Sequence, residues 1–377
     1  MGLSKYKLGT LLQQCDERNQ SLKYSANDVK GISIKKIFIE TKADLTGVSL
    51  RPYILVKPDY FAYVPVTSRN GEKITIAHNN TGNTYIVSSS YIVFSITQPE
   101  LLLPDYLYLY FNRPEFDRYA RFNSWGSARE TFSWEDLCNT EIVLPDIQTQ
   151  RNCVNVYRGM QENLDALRKS VEQMRHTCDI CMNEALRTAQ KHLIGEYIEE
   201  TNFRNTDLQY TADDVMGMTI TKQIIPTKAN MNGTALDNFR IVYPEDFVYN
   251  PRTHGKKIGL GFNQSDRPII ISWNNASFRV RDSKKAQLLP EYLYLWFCRS
   301  EWDREACFRS WGSSTEVFAW DALCEMKISV PHISVQQTIV NIYNAYSERE
   351  KMAGRLENIQ KDICPILVRG AIEEGGR

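Results

Sequence analysis

The sequence predicts an α+β protein built twice over, in which two similar globular domains are separated by two long helices paired as an antiparallel coiled coil. Three observations predict it. Four blocks of sequence recur at one constant separation of 186 positions, and two such lengths nearly fill the 377-residue chain. An unbroken apolar stripe at alternating three- and four-residue spacing runs from Tyr157 to Ala185, and a similar one follows 186 positions later. Between the stripes lie short runs rich in β-branched and aromatic residues, set apart by turn signals.

The repeat settles the architecture. Tyr24-Ser-Ala-Asn-Asp28-Val29-Lys-Gly31 returns as Tyr210-Thr-Ala-Asp-Asp214-Val215-Met-Gly217, and Thr41-Lys42-Ala43 returns as Thr227-Lys228-Ala229. Leu103-Pro104-Asp105-Tyr106-Leu107-Tyr108-Leu109 returns as Leu289-Pro290-Glu291-Tyr292-Leu293-Tyr294-Leu295. Ser124-Trp125-Gly126-Ser127 returns as Ser310-Trp311-Gly312-Ser313. Chance does not keep that register. The expected divisions are a first globular domain over 1–145 that includes the N-terminal segment, a long helix over 146–192, a second globular domain over 193–331 and a second long helix over 332–377.

The first long helix carries Tyr157, Met160, Leu164, Leu167, Val171, Met174, Cys178, Cys181 and Ala185 on one narrow stripe. No proline stands between Pro145 and Pro226. Such a stripe needs a partner helix, and Ile342, Met352, Leu356, Ile359, Ile363 and Ile366 supply one. That second stripe is less regular: Arg349 interrupts it, and Pro365 is expected to kink or break its last turns. A pairing over ~35 residues would span roughly 50 Å. The match of Tyr197-Ile198 to Leu11-Leu12 makes the N-terminal segment read as a continuation of the C-terminal helix, with the two termini close together. Arg168, Lys169, Glu172 and Arg175 form a polar outer face, either solvated or a dock for partners.

Within the first globular domain a polar turn precedes a strand carrying Ile32, Ile34, Ile37 and Ile39. Further strands are expected over 53–56, 61–66, 74–77 and 91–96, with an Asn70-Gly71 hairpin turn between the second and third of these. Helices follow over 105–111 and 114–122, the latter opened by Pro114. Ser133 to Asp136 starts another helix, and a strand over 141–144 is closed by Pro145.

Composition narrows the function. Lys and Arg total 45 and Asp and Glu total 45, so the chain lacks the basic excess of many nucleic-acid binders. The only asymmetries are local: 21–80 holds nine basic against five acidic residues, and 206–285 holds eleven against eight. No apolar run reaches the ~18 residues of a membrane span, and the start has no signal-peptide core. Nine cysteines, an odd number without a dense framework, fit reduced thiols in a cytoplasmic protein.

No catalytic constellation in the sequence holds together. Asn250-Pro251-Arg252-Thr253 lacks the second proline and the aromatic of an amino-methyltransferase signature. Glu40-Thr41-Lys42 resembles half of a metal-dependent nuclease site, but Pro226 replaces the glutamate in the second copy. Cys178 and Cys181, near His176, have no second Cys/His pair and lie on the helix stripe, where small buried residues are the simpler reading. No phosphate loop, His-Glu-x-x-His or nucleophile elbow is present.

What remains is a binding surface. Ser68, Arg69, Asn70 and Lys73 project from the first hairpin, and Arg252, Thr253, His254, Lys256 and Lys257 from its counterpart. Ser127 and Arg129 follow the first Ser-Trp-Gly loop, matched by Ser313 and Thr315 in the second. Arginine can read guanine bidentately and asparagine adenine, while Ser and Lys suit phosphates. A shared frame with divergent polar tips fits two readers of different specificity; it fits neutral drift in exposed loops equally.

At this point the chain resembles the DNA specificity subunit of type I restriction–modification systems. The match is carried by residues 103–108, by Glu115-Phe-Asp-Arg118, by residues 124–129 and by Phe132-Ser-Trp-Glu-Asp136. Ile142-Val-Leu-Pro145 with Gln150 and the long helix complete it, and the second copy repeats it from Leu289 to Gln336. The resemblance implies two target recognition domains, an antiparallel helix pair between them and no catalytic residue in this chain. It implies double-stranded DNA as ligand, two modification (methyltransferase) subunits as partners, restriction/translocase subunits in full systems and no membrane. No cofactor is expected on this chain; S-adenosylmethionine and ATP belong to the partners. Each domain would read one half of a bipartite asymmetric target while the helices fix the gap. The competing readings are a stand-alone DNA methyltransferase or nuclease with a duplicated fold, and a scaffold that binds no DNA.

Overall fold

The computed structural model describes residues 4–67, 73–127, 129–253, 257–312 and 315–375. The chain forms two compact units, one from Met1–Leu167 with Lys351–Arg377 and one from Arg168–Glu350.

The first unit opens with strands β1 (Ser4–Lys7) and β2 (Leu12–Cys15). Strands β3 (Lys30–Ile32), β4 (Phe38–Glu40), β5 (Ile54–Val56), β6 (Phe61–Tyr63), β7 (Ile76–His78), β8 (Tyr85–Val87) and β9 (Ile92–Ile96) follow. Helices α1 (Pro104–Phe111), α2 (Pro114–Phe122) and α3 (Trp134–Asn139) then lead into β10 (Glu141–Leu144) and the 42-residue helix α4 (Ile147–Thr188). Proline opens α1 and α2, where its missing N–H leaves no bond unmade. Ser133 and Asp136 cap α3 reciprocally.

Its main sheet has the order β2-β9-β6-β7, all antiparallel. Phe61 stands opposite both His78 and Phe94 and stacks on their rings at 4.7 and 5.1 Å. One face of this sheet meets α1 and α2, which bury Tyr106, Phe111 and Phe116 against it. Two-stranded ladders pair β1 with β10, β3 with β4 and β5 with β8.

The second unit contains β11 (Lys191–Leu193), β12 (Ile198–Thr201), β13 (Met216–Met218), β14 (Ile224–Pro226) and β15 (Arg240–Val242). These are followed by β16 (Phe247–Tyr249), β17 (Leu260–Phe262), β18 (Ile269–Ile271) and β19 (Ala276–Val280). Helices α5 (Pro290–Phe297), α6 (Ser300–Phe308) and α7 (Trp320–Cys324), strand β20 (Lys327–Ser329) and the 43-residue helix α8 (Ile333–Gly375) complete the chain. Its main sheet has the order β12-β19-β16-β17.

In both units a buried glutamine locks the start of a long helix to the globular part. The Gln150 amide donates to the carbonyls of Leu101 and Pro145 and accepts from the Leu103 N–H. Gln336 makes the same three kinds of bond to Gln287, Pro331 and Leu289. A long helix leaving either globular part therefore starts at a fixed angle rather than from a loose joint.

Within the first unit, α4 and α8 run antiparallel: Cys153 donates to the Leu367 carbonyl and the Gln360 amide to Gln161. Within the second, Cys178 donates to the Ile339 carbonyl and Arg349 to the Ser170 hydroxyl. Every residue of the predicted α4 stripe is buried or half-buried, with Leu164, Val171, Cys178 and Ala185 fully so.

Four expectations are corrected. The predicted strand through Ile32 and Ile39 is a hairpin, because Lys36 takes a left-handed backbone (φ 61°) in a turn that leaves Ile34 and Ile37 exposed. The N-terminal segment does not continue a helix; Ser4 to Lys7 pairs with β10. Of the expected α8 stripe Ile342, Leu356 and Ile363 are half-buried, while Met352, Ile359 and Ile366 are exposed; the fully buried positions of that helix include Ile339, Ala353, Cys364, Val368 and Ala371 instead. Finally, α8 continues through Pro365. Pro365 forfeits one intrahelical bond, but Cys364, Val368 and Ala371 beside it are held in the first unit's core. Among the described residues no helix is long and apolar enough to cross a membrane.

Candidate nucleic-acid interface

The two loop regions singled out in each copy are distant in sequence but laced together in the fold. In the first unit α2 ends at Phe122, and the Ser124 hydroxyl turns back to donate to the Ala120 carbonyl at 2.6 Å. Trp125 and Thr131 then exchange two backbone hydrogen bonds, at 3.1 and 3.0 Å, closing a tight loop. Gly126 is required at its corner, since a Cβ there would lie 2.2 Å from the Arg129 carbonyl oxygen. The far side of this loop pairs with the strand leading into the hairpin. The Thr67 N–H donates to Glu130 at 2.9 Å, the Phe132 N–H donates to Pro65 at 2.8 Å, and Val66 bridges Thr131.

The second unit repeats this lacing. Ser310 donates to Ala306 at 2.7 Å, and Trp311 and Val317 exchange bonds at 3.2 and 3.0 Å. A Cβ on Gly312 would lie 2.0 Å from the Thr315 carbonyl. Thr253 donates its N–H to Glu316 at 3.0 Å, Phe318 donates to Pro251 at 2.7 Å, and Arg252 bridges Val317.

A buried ion pair braces each assembly from below. Lys36, in the β3–β4 turn, reaches Asp117 of α2 at 2.8 Å and also donates to the Phe111 carbonyl. Asp117 accepts in addition from the Ile74 N–H, at the return side of the hairpin. In the second unit Lys222 pairs with Asp303, donates to the Ile258 carbonyl and lies 4.7 Å from the Trp302 ring centre. Burial pushes both lysines below their ordinary pKa, and the partner carboxylate opposes that shift. One pair thus connects three segments: the β3–β4 turn (or β13–β14), the second helix of the unit, and the hairpin.

Ser68, Arg69, Asn70, His254, Lys256 and Ser313 lie outside the described residues. Lys73, Ser127 and Arg129 are exposed in the first unit, as are Arg252, Lys257 and Thr315 in the second. Thr253 is different: it is buried, and its hydroxyl donates to Glu316, so it anchors the hairpin and offers nothing outward. Sequence reasoning gave no binding role to Phe122, Trp125, Phe308 and Trp311, all strongly exposed, and did not find the Lys–Asp braces. Retention of each at the 186-residue spacing was the available signal: Phe122 with Phe308, Trp125 with Trp311, Lys36 with Lys222, Asp117 with Asp303. Among the described residues no group of acidic, His and Cys side chains could hold a metal ion. Cys178 and Cys181 face the helix interior in the second unit's core.

With this geometry in hand, comparison of folds is decisive. The type I restriction–modification S subunit from M. genitalium superimposes with a TM-score of 0.60, over 97% of this chain and 96% of that one, at 12% identity. The fold is that of a type I S subunit. The HsdS subunit from Thermoanaerobacter tengcongensis matches with a TM-score of 0.43 at 14% identity, over 100% of this chain and 97% of that one. A chain solved in work on complex assembly and conformational transition of the type I R-M system matches at 0.44 and 14% identity, each chain covered to 98%. No family model matches the chain, and no curated protein is similar to it in sequence. The S-subunit fold rests on the M. genitalium superposition, at 12% identity.

Proposed function

We propose that this chain is the DNA-sequence recognition subunit of a type I restriction–modification complex and has no catalytic activity of its own. The observation that carries the proposal is the composite face of each unit. Hairpin and Ser-Trp-Gly loop are bonded backbone to backbone into one surface, on a frame common to both units, with different exposed side chains on each. A frame that is kept while its tips diverge suits two readers of two different half-targets. The S-subunit fold supports the same reading.

In this account Arg129 and Arg252 are the strongest candidates for base contacts, since a guanidinium matches guanine bidentately, and Lys73 and Lys257 serve phosphates. Thr253 is removed from the reading set and takes a bracing role. The long helices hold the gap between half-targets, and their polar faces dock two modification subunits, which carry S-adenosylmethionine; restriction subunits, where present, carry ATP. The chain's zero net charge is compatible with this division of labour, because partner subunits can supply much of the sequence-independent phosphate grip. The setting is the cytoplasm, where its free cysteines stay reduced.

The test is single-molecule methylation mapping of cells that carry the chain with its modification subunits. The expected product is methylation of a two-part asymmetric sequence with a fixed nonspecific gap. Insertion of one heptad into both α4 and α8 should lengthen the gap and leave both half-targets unchanged. Methylation by the purified chain alone with S-adenosylmethionine would instead establish a stand-alone enzyme.

A further inference from the structure

The Ser-Trp-Gly motif recurs in both copies, and all but one of its side chains has a structural duty. Serine ties the loop back to the preceding helix, and glycine is demanded by the carbonyl pressed against it. The tryptophan backbone closes the loop, a task that any residue's N–H and C=O could perform. Its indole ring has none: Trp125 is 67% exposed and Trp311 77%. Three residues earlier, at the last position of α2 and of α6, stand Phe122 and Phe308, 76% and 80% exposed. These four are the most exposed large apolar side chains among the described residues, and they form two pairs related by the internal repeat. Neither member of either pair enters a ring contact with another described aromatic residue. A lone exposed aromatic is ordinary, but the same two, kept in duplicate on a rigid mount, need an occupant.

We propose that Phe122 with Trp125, and Phe308 with Trp311, are aromatic wedges that each unit presses against an unstacked base step of its half-target. The proposal rests on the DNA-recognition reading above and deepens it. The charge around the rings selects DNA as the occupant. Arg118 of α2 and Arg129 of the loop are exposed on the segment that carries the first pair of rings, and Arg304 of α6 on that of the second, where Arg252 bridges Val317 opposite Trp311. An apolar ring on a segment that also presents cations matches a polyanion whose interior is a stack of π faces. Bases offer such a face whatever their identity, so the same wedge serves two units that read different sequences. Apolar side chains inserted at a base step open and kink the duplex, which makes easily unstacked pyrimidine–purine steps the favoured places. The wedge thereby adds a sequence preference at a position where no side chain reads a base edge.

The experiment uses the full chain. Duplexes are selected from a random library with the unaltered protein, and 2-aminopurine is then placed at successive positions of the selected duplex. The unaltered chain should raise 2-aminopurine fluorescence at one step in each half-target. The double substitution Phe122→Ala/Trp125→Ala should abolish the signal in one half only, and Phe308→Ala/Trp311→Ala in the other. Each should weaken binding by roughly tenfold or more. The salt dependence of binding should stay as steep as before, whereas Lys73→Ala should flatten it by about one phosphate contact. Trp125→Phe should keep most of the signal, which separates a stacking role from a folding defect. If the unaltered chain binds a selected duplex and the double variants match it in affinity and fluorescence, the wedge is overturned while recognition stands. If the unaltered chain selects no duplex even when assembled with its modification subunits, both fall.

Discussion

In the first unit Tyr91 fills the space beside Gly31, its hydroxyl 3.9 Å from where a Cβ on that glycine would stand. The matching position of the second unit, one residue before β19, is Asn275, which folds away to donate to the Ser272 carbonyl. There a cavity of about 990 Å³ opens, lined by Gly217, Met218, Trp273 and Asn275 among others. Neighbouring positions follow suit: Phe38 and Tyr85, packed at 5.4 Å, are replaced by Ile224 and Ile269. By contrast the Lys–Asp brace, the Ser-Trp-Gly loop and the helix-locking glutamine are the same in both units. The loop tips and the small outer ladders diverge, and the parts that tie loops to core are retained. A chain selected to read two different sequences from one scaffold would diverge in this pattern.

The comparison breaks most easily at the braces. Asp303→Ala would strand the Lys222 ammonium in a site where its side chain is 3% exposed. An expected loss of about 3–5 kcal/mol follows from leaving a buried charge unpaired, measurable by denaturant unfolding. The loss depends on pH. Burial lowers the folded-state pKa of Lys222 below its unfolded value, so the charged lysine costs stability at neutral pH. That cost fades as pH rises between the lowered folded value and the ordinary one. Stability of the variant should accordingly recover toward alkaline pH. Asp117→Ala should behave alike in the first unit. A large effect in one unit with none in the other would show that the braces are not equivalent.

A smaller effect sharpens the contrast. Asn275→Tyr should install in the second unit the side chain that fills the first. It is expected to raise stability by about 0.5–1 kcal/mol, as cavity-filling changes commonly do. A fall in melting temperature would mean that the lining side chains, Met218 and Trp273 among them, leave no room for a ring.

Long-period features were legible in the sequence; features that depend on contacts between distant segments were not. The α4 stripe, the Pro-opened helices α1 and α2 and the Ser133 cap could be read because each depends on residues within a few turns of one another. The β3–β4 hairpin was misread as one strand because its turn is set by Lys36, whose left-handed backbone is held by Asp117 eighty-one residues away. On α8, Met352, Ile359 and Ile366 match the heptad as well as the residues that pack, and only tertiary contact decides between them. At the candidate interface the sequence named the two loops, but their union through Thr67 and Glu130 is a contact across 63 residues. Nor could composition show that Thr253 faces inward, or that the indole rings of Trp125 and Trp311 face outward.

The most direct test of two readers on one frame is to exchange residues 21–145 for the matching segment of a related S subunit and to map genomic methylation. The account predicts a new sequence in one half of the target, with the other half and the gap unchanged. A target altered in both halves, or in neither, would contradict it.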